Sequence, residues 1–91
     1  MKIHLNFKMN PRDKLCFLNI QIFDEKYPLI WRSCKDPSDV SSSCYDVIYA
    51  ASRINCLCDE KHKKEFRKQL DKVDKFCEKD KFLSDLFRCK I

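Results

Sequence analysis

The fold of this chain is decided by residues 44–58, which read CYDVIYAASRINCLC. Apolar side chains recur in this stretch at intervals of three and four residues, which is the period of an α-helix with one buried face. They are Cys44, Val47, Ile48, Ala51 and Ile54, with Tyr45 and Tyr49 near the edge of that face. The pattern predicts an amphipathic helix that ends near Leu57. Its cysteines make the same helix a crosslinking element.

The counts of cysteine and glycine set the wider class of the protein. The 91-residue chain has seven cysteines and no glycine. A chain this short buries little apolar surface, so disulfides are the usual means of stabilising it. Without glycine, tight hairpins between strands are disfavoured. The composition predicts a small, disulfide-rich, all-α bundle of four to five short helices. The candidate disulfide cysteines are Cys16, Cys34, Cys44, Cys56, Cys58, Cys77 and Cys89.

The length of the chain predicts one domain. Residues 1–9 show no cap and no clear period, so we expect a flexible N-terminal arm there, and residues 10–91 are expected to form a single disulfide-stabilised helical domain. The start of the chain lacks the apolar core of a signal peptide, and no apolar run approaches membrane-spanning length. Because disulfides persist in oxidising compartments, we expect a mature secreted chain whose leader has been removed.

The first helix is predicted from its cap. Asn10 and Pro11 are a strong helix start, because asparagine caps well and proline suits the first helical position. Leu15, Leu18 and Ile22 follow at helical spacing and are the expected buried positions. The alternation of apolar residues from Leu18 to Ile22 also fits a strand, but the cap favours the helix.

Three further helical segments are expected. Pro28 is expected to open a short one from Leu29 to Cys34. Asp59 and Glu60 suit the N-terminus of a helix over residues 60–76, because acidic side chains favour that end. The buried stripe of this helix is expected to be Phe66, Leu70, Val73 and Cys77, widened by Phe76. Asp80 is the expected cap of a last helix, with apolar positions Phe82, Leu83, Leu86 and Phe87.

Equal cysteine spacings suggest how two helices are clamped. Cys44 and Cys56 are twelve positions apart, and so are Cys77 and Cys89. Antiparallel helices would give Cys44–Cys89 and Cys56–Cys77. Parallel helices, with a middle helix between them, would give Cys44–Cys77 and would join Cys89 to Cys56 or Cys58. We favour the parallel arrangement, because residues 60–75 contain no helix breaker.

The remaining cysteines complete this hypothesis. Cys16 and Cys34 are expected to tie down the N-terminal helix. An odd number of cysteines leaves one without a partner inside the chain. We expect it to be Cys56 or Cys58, because residues two positions apart on a helix point in different directions.

Charge patterning indicates one candidate binding surface. The net charge is +5, from 19 basic and 14 acidic residues. This excess permits weak binding to acidic glycosaminoglycans and indicates no specific nucleic acid partner. A basic stripe on the helix over residues 60–76 is the candidate partner-binding surface, and it consists of Lys64, Lys68, Lys72 and Lys75, with acidic residues interleaved. Trp31, Tyr45 and Tyr49 are candidate contact residues but are expected more often in a core.

No motif in the sequence indicates catalysis, a metal site or a cofactor. Cys56, Cys58 and His62 do not have the spacing of a zinc site, and no fourth ligand is evident. Cys58 and His62 resemble a thiol nucleophile and its base, but we do not expect a crosslinked secreted domain to keep a free nucleophilic thiol. The segment from Cys56 to Asp59 has a slight likeness to secreted phospholipases, whose His-Asp pair and glycine-rich loop this sequence lacks. We therefore expect a protein that is not an enzyme.

Three segments carry a likeness to a known family: residues 10–16 (NPRDKLC), 31–34 (WRSC) and 74–79 (DKFCEK). In these and in its overall character the chain resembles the small anti-complement salivary proteins of blood-feeding sand flies. The resemblance implies an all-helical, disulfide-bonded fold similar to the helical domains of glial-neurotrophic-factor receptors. It also implies inhibition of the classical complement pathway, by binding a host plasma protein that is an early component of that pathway. It assigns no functional residues.

Two other functions remain open from the sequence. A disulfide-rich toxin or host-defence protein would act on membranes or channels. A mitochondrial intermembrane-space helical hairpin of the twin-cysteine type is suggested by the nine residues between Cys34 and Cys44. Disulfides that join only two antiparallel helices would favour the hairpin, and leakage from anionic vesicles would favour the toxin.

Overall fold

The computed structural model describes residues 9–39 and 41–89. The expected arm at residues 1–9 lies outside the described residues, except for Met9. The described chain is an all-α bundle without a β-strand. Its helices are α1 (Pro11–Ile30), α2 (Ser42–Leu57), α3 (Glu60–Lys63), α4 (Arg67–Cys77) and α5 (Lys81–Phe87). Turns of 3₁₀ helix occupy Trp31–Ser33, Pro37–Asp39 and Lys64–Phe66.

Side-chain caps begin four of the five helices. In each, a side-chain oxygen accepts a hydrogen bond of 2.8 to 3.3 Å from the backbone N–H three residues later. This bond satisfies one of the amide groups that a helix N-terminus leaves without a partner. The capping residues are Asn10, Ser41, Asp59 and Asp80. The helix starts at Asn10, Asp59 and Asp80 were predicted from the sequence and are confirmed.

Helices α1 and α2 form an antiparallel hairpin. The disulfide Cys16–Cys58 joins the start of α1 to the end of α2. At the other end of the hairpin, Cys34–Cys44 joins the segment after α1 to the first turn of α2. The Arg12 guanidinium also donates hydrogen bonds of 3.0 and 3.1 Å to the last carbonyl oxygens of α2. The hairpin is therefore fastened at both ends.

The remaining helices close over the hairpin and complete one core. Helix α2 contributes four fully buried side chains, as the sequence predicted: Val47, Ile48, Ala51 and Ile54. The predicted stripe of α4 is confirmed as well, because Leu70, Val73 and Cys77 are each at most 2% exposed. Helix α5 adds Leu83 and Phe87. The Ser52 hydroxyl donates a hydrogen bond to the Leu86 carbonyl and ties α2 to α5.

The buried face of α1 differs from the prediction. Leu15, Leu18 and Ile22 are 46%, 40% and 39% exposed, whereas the buried positions are Cys16, Ile20 and Phe23. Helix α1 carries apolar residues on two faces, so periodicity alone does not select one of them. The bond from Cys16 to Cys58 and the burial of the Phe23 ring turn the second face toward the core.

Two predicted helix boundaries are also wrong. Pro28 does not open a new segment, because α1 continues through it to Ile30. A proline this near the end of a helix removes one backbone donor, while the rings of Tyr27 and Trp31 stack across it. The helix expected over residues 60–76 is interrupted by the turn Lys64–Phe66. At this turn the backbone of Phe66 has φ −107° and ψ 0°, and its ring packs edge-on against Phe23 at 6.1 Å.

Candidate functional site

The four candidate lysines lie on α4 and on the 3₁₀ turn that precedes it. Lys64 begins the 3₁₀ turn before α4, and Lys68, Lys72 and Lys75 lie on α4 itself. All four are exposed. At 3.6 residues per turn, the three lysines of α4 fall within about 60° of arc, roughly opposite its buried stripe. We call this set of four residues the α4 lysine face.

The acidic residues of α4 do not interrupt this face. By the same helical geometry, Asp71, Asp74 and Glu78 all lie to one side of the lysine row. No side-chain hydrogen bond or ion pair within residues 9–39 and 41–89 involves any member of the α4 lysine face. Asp71 is four residues before Lys75 and borders the row, so the lysines and acids occupy adjacent strips of the same exposed helix surface.

Lys63 and Arg67, which are close in sequence to the α4 lysine face, differ from its lysines because both form ion pairs with Glu60. The Lys63 ammonium lies 2.9 Å from one Glu60 oxygen, and the Arg67 guanidinium lies 2.6 Å from the other. Hydrogen bonds from Lys63 and then from Arg67 hold the pKa of Glu60 below its ordinary value. Through these ion pairs Lys63 and Arg67 stabilise the bend between α3 and α4, so their charges are already paired within the protein. The α4 lysine face has no such internal role.

Helix α4 is held in place by packing and not by a crosslink of its own. The rings of Trp31 and Phe76 meet at an angle of 67° with their centres 4.9 Å apart, which packs α4 against the end of α1. Val73 and Cys77 have no exposed surface. Their burial keeps the opposite side of the helix, with its lysines, facing solvent.

The disulfides correct part of the predicted pairing. Cys56–Cys89 is one of the alternatives that the spacing favoured. Cys44–Cys77 is wrong, because Cys44 bonds to Cys34, ten residues earlier in the chain. Both arrangements drawn from the equal spacings assigned a partner to Cys77, and it has none. Cys16 and Cys34 do fasten the N-terminal helix, as expected.

The cysteine without a partner is Cys77, and not Cys56 or Cys58 as predicted. Helix α2 ends between these two, because Cys58 has extended backbone angles of φ −84° and ψ 143°. Their sulfurs therefore diverge and reach different partners, Cys89 and Cys16. Cys56 and Cys58 do point in different directions, as we expected, but each of them forms a disulfide bond with a different cysteine.

The free thiol of Cys77 is unreactive in this environment. Its side chain is fully buried. Burial raises the pKa of its thiol to about 12, and the negative charges of Asp74 and Asp80 contribute to the rise. A thiol with this pKa is protonated at neutral pH, and only the thiolate is a strong nucleophile. Cys77 therefore packs as a small apolar side chain.

The other reactive groups considered from the sequence are also accounted for. Cys58 is bonded to Cys16 and is not a thiol. His62 lies edge-on to Phe17 at a ring distance of 4.7 Å, with Nδ1 2.7 Å from an Asp59 carboxylate oxygen. The backbone N–H of His62 is the main cause that lowers the pKa of Asp59. Asp59 and His62 together therefore cap the N-terminus of α3.

The aromatic candidates divide between core and surface. Trp31 is half-buried and belongs to the stack between α1 and α4. Tyr45 is half-buried and stacks with Tyr49 and with Phe82, which is 65% exposed. The Arg53 guanidinium lies 4.8 Å from the Tyr49 ring centre. Tyr45, Tyr49 and Phe82 thus form a small aromatic cluster on α2 and α5, helices that carry none of the four lysines.

Within the described part of the chain, no helix is both long enough and apolar enough to cross a membrane. No protein-family model, no curated protein and no solved structure matches this chain.

Proposed function

We propose that this protein is a secreted, non-catalytic binding protein that attaches to an acidic surface of a host plasma protein and inhibits the classical complement pathway. The observation that carries the proposal is the α4 lysine face, whose four exposed ammonium groups have no partner among the described residues. The likeness of segments 10–16, 31–34 and 74–79 to sand fly anti-complement salivary proteins supplies the pathway. The partner is an early component of it.

Electrostatics give this surface a physical means of action. A row of like charges steers an oppositely charged partner into contact and suppresses binding to basic surfaces. Each exposed ion pair contributes little by itself, about 0.2 to 1 kcal/mol, so several acting together are needed. Four lysines on one side of a short helical segment meet that need. Acidic glycosaminoglycans offer a weaker partner of the same charge.

The scaffold supports such a role in plasma. Disulfides are stable in an extracellular, oxidising medium and hold small domains folded there. Cys16–Cys58 and Cys34–Cys44 fasten the hairpin against which α4 packs, and Cys56–Cys89 anchors the segment after α5. A surface that is ordered before binding loses less conformational entropy on binding than a flexible one.

The twin-cysteine alternative receives mixed support from the disulfides. Cys16–Cys58 links the antiparallel helices α1 and α2, which agrees with that class, and Cys34–Cys44 closes the connection between them. The third, Cys56–Cys89, lies outside this pair. Cys34 and Cys44, which have the nine-residue spacing, bond to each other and not to a second pair of the same kind. We therefore retain the plasma-binding function as the proposal.

The proposal is tested with oxidised protein and whole human plasma. Immobilised protein should retain an early complement component, and soluble protein should reduce antibody-dependent haemolysis. The triple variant Lys64→Glu, Lys68→Glu and Lys72→Glu should lose most of both effects. A matched control, Lys35→Glu, Lys61→Glu and Lys81→Glu, makes the same charge change at exposed lysines outside the face and should retain them.

Three results would contradict the proposal. The first is haemolysis that proceeds undiminished in the presence of the wild-type protein with no plasma protein retained. The second is equal loss in both triple variants, which would show a dependence on net charge alone. The third is leakage of anionic vesicles at the concentrations that act on plasma, which would favour the host-defence function.

A further inference from the structure

The disulfide Cys56–Cys89 is the most accessible of the three disulfides, and we call it the terminal disulfide. Cys89 is exposed and Cys56 is half-buried. Both residues line an open groove of about 600 Å³. A second opening, of about 220 Å³, lies between α2 and the end of α5 and also reaches Cys56. A small thiol can therefore approach this bond while the protein stays folded.

The other two disulfides are shielded on at least one side. Cys16 and Cys58 are 0% and 4% exposed. Cys34 is half-buried, but its partner Cys44 is 3% exposed. Thiol–disulfide exchange expels one of the two sulfurs as a thiolate, and the exchange is slow when that thiolate is poorly stabilised. Because burial disfavours charge, attack at Cys34 has to expel a thiolate into a buried site.

The terminal disulfide has a better leaving group. The side-chain amide of Asn55 donates toward the Cys89 sulfur at 3.8 Å. This N–H group would stabilise a thiolate at that sulfur, and solvent would stabilise it further because Cys89 is exposed. The expected point of attack is therefore the Cys56 sulfur, with Cys89 as the sulfur that leaves.

Positive charges flank the terminal disulfide. Arg12 lines the groove, and hydrogen bonds of 3.1 and 3.0 Å hold its guanidinium against the carbonyl oxygens of Cys56 and Leu57. Arg88 directly precedes Cys89 and lines the second opening. Within the described chain, no acidic residue lines either opening. Reactive cysteines typically occupy such electropositive, partly exposed surroundings, because positive charge attracts the attacking thiolate and stabilises the leaving one.

Acidic residues border Arg88 on its other side. Asp71 and Asp74 line a separate groove with it, together with Arg67. No ion pair among the described residues joins Arg88 to either carboxylate. The charge of Arg88 therefore still acts on the terminal disulfide, although these acids weaken it.

The terminal disulfide holds the end of α5 to the end of α2. Otherwise α5 is held by the buried side chains of Leu83 and Phe87 and by the hydrogen bond from the Ser52 hydroxyl to the Leu86 carbonyl. A helix of seven residues is not stable by itself. The α1–α2 hairpin has two disulfides of its own. Opening the terminal disulfide is therefore expected to loosen α5 and to leave the hairpin intact.

We propose that the terminal disulfide is a thiol-exchange site, at which a dithiol reductant opens Cys56–Cys89 selectively and frees α5. This site is separate from the α4 lysine face and does not depend on the function proposed above.

The exchange takes place in two steps. One thiolate of the reductant attacks the Cys56 sulfur and forms a mixed disulfide, and Cys89 leaves as a thiolate. The second thiol of the reductant loses its proton, attacks the reductant's own sulfur in the mixed disulfide and releases Cys56. Two electrons pass from the dithiol to the protein, and its two protons end on Cys56 and Cys89. The reductant becomes a cyclic disulfide.

The test exposes the folded, oxidised protein to reduced dithiothreitol, a dithiol, at about pH 8, where part of the reagent is thiolate. Samples are quenched with acid at intervals, alkylated in denaturant with N-ethylmaleimide and mapped by mass spectrometry. Cys56 and Cys89 should become alkylated at least roughly tenfold faster than the cysteines of the other two disulfides. Cys77 is alkylated in every sample and serves as the internal standard.

Variants test the surroundings of the bond. Asn55→Ala removes the N–H donor and should slow reduction of the terminal disulfide several-fold, and Arg88→Gln should slow it by a smaller factor. The control Arg32→Gln makes the same change of charge near Cys34, at the other end of the hairpin, and should leave the rate as it is. Loss of folding would speed the reduction of all three disulfides, so a selective decrease cannot arise from it.

Hydrogen–deuterium exchange tests the structural consequence. Protein in which only Cys56 and Cys89 have been reduced and alkylated is compared with the oxidised protein. The amides of residues 81–88 should exchange at least roughly tenfold faster once the bond is open. The buried amides of α1 and α2 should exchange as before.

Three outcomes would overturn the proposal. The first is reduction of either of the other disulfides as fast as the terminal one. The second is an unchanged rate of reduction in both Asn55→Ala and Arg88→Gln. The third is unaltered hydrogen exchange at residues 81–88 after the terminal disulfide has been opened.

Discussion

The α1–α2 hairpin and the α3–α4 segment are stabilised in different ways. The hairpin is crosslinked at both ends, by Cys16–Cys58 and by Cys34–Cys44. The α3–α4 segment lies between Cys58 and Cys89 and has no crosslink within it, since Cys77 is unpaired. It is held by apolar side chains that are buried against the hairpin.

This difference assigns separate tasks to the two regions. Crosslinks act chiefly by restricting the unfolded chain, so they stabilise the hairpin even where its outer face is apolar and exposed. Packing stabilises α4 through its buried stripe and leaves its other side available for charge. The region expected to bind a partner is therefore the one whose stability depends on side-chain packing.

Removing the longer crosslink should have the largest effect on the hairpin. The double variant Cys16→Ala and Cys58→Ala opens a loop with a sequence separation of 42, and chain entropy predicts a loss of about 4 kcal/mol in the free energy of unfolding. Cys34→Ala with Cys44→Ala removes a separation of 10, for which the same relation predicts about 3 kcal/mol. Urea unfolding without reductant measures both. A larger loss from the shorter loop would show that the hairpin is not stabilised as described.

Truncating the packed stripe of α4 should have the next largest effect. Leu70 is 2% exposed, and Leu70→Ala should lower the free energy of unfolding by about 3 kcal/mol through lost burial and a cavity. The matched variant Leu18→Ala acts on a side chain of α1 that is 40% exposed and should cost about 0.5 kcal/mol or less. Thermal and urea unfolding compare the two. Similar losses would mean that the outer face of α1 is covered.

A smaller effect is expected from acid at the start of α3. The pKa of Asp59 lies below its ordinary value of 3.8, chiefly because its carboxylate accepts a hydrogen bond from the His62 backbone. Its ionised form therefore stabilises the fold above that pH, and the contribution is lost as the pH falls through the lowered pKa. Asp59→Asn keeps a capping side chain and removes the charge. Its Tm should fall less than that of the wild type between about pH 5 and about pH 2. An unchanged acid dependence would remove Asp59 as a contributor.

The contrast between α1 and α4 also explains how far the sequence predicted the fold. On α4 the charged residues mark the outside, so the stripe from Phe66 to Cys77 was predicted correctly. On α1 apolar residues lie on both faces, and local spacing favoured Leu18 over the buried Ile20. The choice between the faces depends on contacts with residues far along the chain, which a helical period does not contain.

The candidate sites were predictable to unequal degrees. The four lysines of the α4 lysine face were selected from their spacing in the sequence, and the structure leaves all four exposed. The pairing of Cys34 with Cys44 competed with longer-range alternatives, and spacing alone does not rank such alternatives.

The most direct test of the account is a disulfide map of the oxidised protein. The chain is unfolded in denaturant without reductant, its thiols are alkylated, and its peptides are identified by mass spectrometry. The account predicts one alkylated cysteine, Cys77, and three linked pairs, Cys16–Cys58, Cys34–Cys44 and Cys56–Cys89. A peptide that links Cys77 to another cysteine, or free thiols at both Cys16 and Cys58, would contradict it.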